Sequence, residues 1–104
     1  MKHIIFTMYD PAKTADIAAA SDMARSNLPA GLQTVAMYSC LGTPFSGFPE
    51  SKMLTISVVE AENSEAIAAL TYPIMLAGAS VVSCVPALDI TPGATQTLEK
   101  RLRG

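Results

Sequence analysis

The chain is short of the residues that carry most protein chemistry. It has one histidine and two cysteines in 104 residues. His3, Cys40 and Cys84 are too scattered for zinc-like spacing, so no metal is expected, and nothing calls for a cofactor. Charge is sparse as well, at 15% of residues with a formal net charge of −2. That removes the basic footprint of a nucleic-acid binder. No run of about 18 apolar residues exists, so no membrane span is expected. The opening "MKHIIFTMYDPAK" alternates and ends in Asp-Pro, which reads as a strand and not a signal peptide. Two cysteines without such a leader read as reduced thiols in a cytoplasmic protein. No glycine motif follows a strand and opens a helix, as a phosphate cradle requires; "LGTPFSG" lies between two strands. Paired carboxylates are missing too: Asp10 is placed to cap a helix, and Glu60, Glu62 and Glu65 mark an exposed strand end and helix start.

Apolar residues are plentiful, making up 50% of the chain. A chain this short has a limited core and often gains stability by oligomerising, so part of the surplus is expected in a subunit interface. Strands are expected at Lys2–Tyr9, Leu32–Leu41, Lys52–Ala61 and Ser80–Ile90. A first helix follows Asp10-Pro11, with Ile17, Ala20, Ala24 and Leu28 on one stripe, and ends at Pro29 and Gly31. A second starts at an Asn63 or Ser64 cap and closes at Gly78, with Pro73 predicting a kink or break near Thr71–Pro73. Pro86 points to a sheet edge or bulge. The order defines an α+β, ferredoxin-like βαββαβ domain over residues 1–90, followed by a turn and short helix or tail over 91–104. Right-handed crossovers place both helices on one face of an antiparallel sheet, in strand order four, one, three, two.

Alternation in the first strand assigns Ile4, Phe6 and Met8 to the helix-covered face. His3, Ile5, Thr7 and Tyr9 then point to the open face, joined by Thr55, Ser57 and Val59. Such a half-apolar face is expected to pack on a second sheet around a cavity, most simply in a homodimer. The segments "MKHIIFTM", "VVEAENSEAIAALTYPIMLAG" and "VVSCVPALDI" resemble the dimeric α/β-barrel superfamily of ferredoxin-like proteins. Within it, they resemble most a small bacterial and archaeal family of unknown function. The resemblance implies a dimeric α/β barrel. It leaves activity open, because that superfamily includes cofactor-free monooxygenases, isomerases, haem-degrading enzymes and sensors. Haem-degrading members carry a haem-ligating histidine on the second helix, and this helix has none.

The pocket candidates are therefore His3, Thr7, Tyr9, Thr55 and Ser57 on the open face, Tyr72 at the helix break, and Phe45 and Phe48 in the loop. No residue stands out as catalytic. His3 has no carboxylate at a useful local spacing, and the cysteines fall on opposite sheet edges, beyond disulfide reach within one chain. The leading reading is a small homodimeric protein that binds a small molecule or is structural. One alternative is a cofactor-independent monooxygenase or isomerase for a small aromatic or polyketide-like substrate, with Tyr9, His3 and Thr7 lining its pocket. Another is a protein-interaction subunit using a sheet edge or the basic tail of Lys100, Arg101 and Arg103. The loop at 42–51 is longer than neighbouring strands need, so Phe45 and Phe48 are expected to cover something: a dimer contact first, a lid second.

Overall fold

The computed structural model describes residues 1–90 and 93–103. The turn expected at residues 91 and 92 lies outside them, as does residue 104. Four strands and three helices follow one another as β1 (Lys2–Tyr9), α1 (Thr14–Ser26), β2 (Leu32–Ser39), β3 (Met53–Ala61), α2 (Ser64–Leu76), β4 (Val81–Pro86) and α3 (Ala94–Arg103). Every strand pairing is antiparallel, and the sheet order is β2-β3-β1-β4, the ferredoxin-like arrangement expected from the element order. No helix among the described residues is long and apolar enough to cross a membrane.

Local chemistry explains the helix starts. The Asp10 carboxylate accepts from the Ala12 N–H at 3.0 Å and caps a 3-10 turn, Pro11–Lys13, that leads into α1. Asn63, rather than Ser64, caps α2 by accepting from the Ala66 N–H at 2.8 Å. Of the kink or break expected near Thr71–Pro73, the break does not occur: α2 runs unbroken from Ser64 to Leu76. Proline there removes only the bond that would reach the Ala69 carbonyl, and Ala69 is exposed, so water can take its place. On the other side, Leu70, Thr71 and Ile74 are buried and hold the last turns against the sheet. Gly78 closes the helix at φ +111°, a conformation that favours glycine.

The core lies between the helices and one sheet face. Ile5 and Val59 of the sheet pack with Ile17 of α1 and Ala66, Leu70 and Ile74 of α2. Ile5, Leu70 and Val59 are almost fully buried, each worth about 1.5–3 kcal/mol of apolar burial. This packing reverses the expected faces. Register pairs His3, Ile5, Thr7 and Tyr9 with Val59, Ser57, Thr55 and Met53, and this set lies beneath the helices. Ile4, Phe6 and Met8, with Val58, Ile56 and Leu54 opposite them, form the open face. Both alternating sets of β1 are rich in apolar residues, so alternation alone does not choose between them. The helix layer takes the set that carries Ile5 and Val59, its best-buried sheet residues, and a side chain from α1 reaches down to bond one of the hydroxyls, that of Ser57.

The sheet edges are irregular. β2, one edge, carries a bulge: Thr34 opposes Val59 and Ala36 opposes Val58, leaving Val35 as the extra residue. β4, the other edge, ends at Pro86.

Candidate functional site

A cavity of about 240 Å³ opens between α1 and the helix-side face of the sheet. Thr7 and Tyr9 of β1 and Thr55 and Ser57 of β3 line its floor. Ile17, Ala18, Ser21, Asp22 and Arg25 of α1 form its roof and rim, and Ile74 of α2 closes one side. Strand alternation puts the four floor residues on one face, and the β1–β3 register sets Thr7 directly opposite Thr55. Four of the sequence-derived candidates therefore meet, but beneath the helices rather than on the open face.

The polar groups are organised around one cation. Arg25 Nε donates to Ser21 Oγ at 3.1 Å, Nη1 to Thr34 Oγ1 at 2.6 Å and Nη2 to Ser57 Oγ at 3.0 Å. The guanidinium thus ties α1 to both β2 and β3. It is half-buried, and desolvation draws its pKa down from the ordinary value, opposed by the weaker pull of Asp22. Asp22, exposed at the rim, makes no ion pair with it. Deeper in, the Tyr9 and Thr55 hydroxyls share a bond of 3.3 Å. Thr7 is only 5% exposed, and its hydroxyl bonds no protein group among the described residues.

The remaining candidates lie elsewhere. His3 is at the far end of β1, where its Nδ1 donates to the Met1 carbonyl at 3.1 Å. Tyr72 stands exposed on the outer side of α2. Phe48 is buried on the open face, beside Phe6, Met8, Leu54 and Val81, in a groove of about 470 Å³. Phe45, itself exposed, meets it edge-to-face at 5.5 Å between ring centroids. The long loop therefore folds over the open sheet face of its own chain, on the side opposite the hydroxyl-lined cavity. Cys40 and Cys84 are free thiols at opposite sheet edges, and burial raises the pKa of Cys84.

Sequence reasoning passed over Arg25, Ser21 and Thr34. Arg25 lies outside the apolar stripe of α1 formed by Ile17, Ala20, Ala24 and Leu28. A signal was present: Ser21 and Arg25, four apart, share one helix face, and Ser21 sits one turn beyond Ile17 on the buried side.

No protein-family model matches the chain, and no curated protein matches it in sequence. Solved structures do share its fold. One is the 5-chloro-2-hydroxyhydroquinone dehydrochlorinase TftG from Burkholderia phenoliruptrix AC1100, in complex with 2,5-dihydroxybenzoquinone. It is similar with a TM-score of 0.59 at 17% identity, over 86% of this chain and 96% of that one. The C-terminal domain of the MgtC protein from Mycobacterium tuberculosis is similar with a TM-score of 0.57 at 11% identity, over 83% and 86% of the two chains. At these identities the likeness is one of fold.

Proposed function

We propose that this protein is a small-molecule-binding homodimer, with one ligand cavity per chain between α1 and the sheet. One observation carries the reading: hydroxyls from Thr7, Tyr9, Thr55, Ser57 and Ser21 converge with the Arg25 guanidinium on a single cavity. The Thr7 hydroxyl bonds no protein group among the described residues and is not sealed off, since no buried side-chain polar atom there lacks a partner; lining the cavity, it is free to meet a ligand. The cavity of about 240 Å³ is just below the usual range for small-molecule sites, which suits a ligand of one ring. Sharing a fold with a protein that holds 2,5-dihydroxybenzoquinone is compatible with that size.

The dimer is proposed from the other face. Ile4, Phe6, Met8, Ile56 and Val58 are half-buried by their own neighbours, and no helix among the described residues covers them. A second copy meeting this face would remove the remainder from water. In this arrangement the Phe45–Phe48 loop borders the subunit contact, away from the ligand.

A thermal-shift screen of single-ring fragments, charged and neutral, tests the binding reading. Stabilising hits are expected, and their chemical-shift perturbations should map to Ala18, Ser21, Thr55 and Ser57. An empty screen, or hits confined to the open-face groove, would refute it.

A further inference from the structure

Among the described residues, the cation at the cavity mouth has no anion. A guanidinium carries five N–H donors in a planar fork. Arg25 directs three of them to the oxygens of Ser21, Thr34 and Ser57, all neutral. Two N–H donors remain, one on each terminal nitrogen, and no carboxylate among the described residues forms an ion pair with them. The three hydroxyls accept from the guanidinium, so each keeps its own O–H to donate. None donates to a protein acceptor among the described residues, and Ser21 and Ser57 both line the cavity. A half-buried positive charge ringed by unused donors is a receptor for an oxyanion.

The rest of the cavity narrows the class. Ile17, Ala18, Met37 and Ile74 supply an apolar lining suited to a ring. Thr55 lies two residues from Ser57 on the same strand and face, about 7 Å away by strand geometry. Its hydroxyl and that of Tyr9 are paired there at 3.3 Å. The guanidinium end and the hydroxyl pair are thus separated on the scale of one aromatic ring with substituents at its two ends. Deepening the proposed function and resting on it, the geometry points to a small ring-bearing monocarboxylate as the ligand. Its carboxylate docks on Arg25 with Ser21 and Ser57, and a hydroxyl at the opposite end of the ring meets Tyr9 and Thr55.

Isothermal titration calorimetry on the full chain tests this with 4-hydroxybenzoate, its neutral isostere 4-hydroxybenzamide, and inorganic phosphate. The acid is expected to bind about tenfold or more tightly than the amide, since a charge-assisted bond is roughly twice as strong as a neutral one. Arg25→Gln should erase that preference while circular dichroism shows the fold retained. Asp22→Asn, which leaves Arg25 and its hydroxyl partners in place, should tighten the acid a few-fold by removing a like charge at the rim. Equal binding of acid and amide, a preference that survives Arg25→Gln, or acid binding weakened by Asp22→Asn would overturn the assignment. Phosphate binding as tightly as the acid would overturn it in favour of a plain anion site. If the amide binds and the acid does not, the carboxylate class falls and the cavity stands. If no fragment of either charge binds, both fall.

Discussion

At the scale of single residues, the cavity floor separates hydroxyls that hold the fold together from one that does not. Ser57 accepts from Arg25 at 3.0 Å and is only 4% exposed. Replacing it with alanine leaves a guanidinium N–H short of a partner, and Ser57→Ala is expected to cost about 1–2 kcal/mol in urea unfolding. Thr7, without a protein partner among the described residues, should behave differently. Thr7→Val keeps the shape and the β-branching, and should leave stability unchanged or raise it by up to about 1 kcal/mol. A loss of that size instead would mean that the hydroxyl has a structural partner. Cys84 adds a pH dependence. Burial raises its thiol pKa above the ordinary 9.0, so the folded chain favours the neutral form. The stability this contributes is fully present below the unfolded thiol's pKa. It is lost as pH rises through the folded pKa, where unfolding releases a proton more readily. Denaturation midpoints measured in alkaline buffers should therefore fall faster for the wild type than for Cys84→Ala.

Elements show how much the sequence discloses and where it stops. The number and order of strands, the Asp10 cap, an α2 cap narrowed to Asn63 or Ser64, and the closing glycine at Gly78 were legible because each rests on local chemistry. So was the topology, since right-handed crossovers leave few ways to connect βαββαβ. The faces were not. Polar residues on a strand ordinarily turn to water, and that rule sent Thr7, Tyr9, Thr55 and Ser57 outward. What sets the face is tertiary: Ile5 and Val59, on the same face, pack under the helices, and Arg25 on α1 bonds Ser57 on β3, 32 positions apart. No periodicity within either element encodes it. The four floor residues were recognisable as a group from their shared hydroxyls, whereas the cation that organises them was not. Helix α2 gives a second case, in which tertiary packing at Leu70 and Ile74 overrides the local signal of Pro73. Pro73→Ala is expected to restore the missing backbone bond and stabilise the chain by on the order of 1 kcal/mol, read from urea unfolding. Destabilisation would indicate that the backbone geometry proline imposes is needed for packing.

For the whole molecule, the two faces of one sheet are given different tasks: a hydroxyl-lined cavity under the helices and an apolar surface opposite. Ile56, paired with Phe6 at the middle of the sheet, is the position where a charge should separate the two proposed roles. Ile56→Glu should convert a dimer to a monomer by light scattering while leaving its fold intact by circular dichroism. An unchanged mass would place the subunit contact elsewhere. The irregular sheet edges bear on the same question. An open strand edge invites unlimited addition of further strands, the route to fibres and precipitates. Here the bulge at Val35 interrupts the ladder on one side, and Pro86 offers no N–H on the other. Both features discourage growth along the sheet. In the proposed dimer, association would fall instead to the broad apolar face, where a closed pair ends the process at two copies.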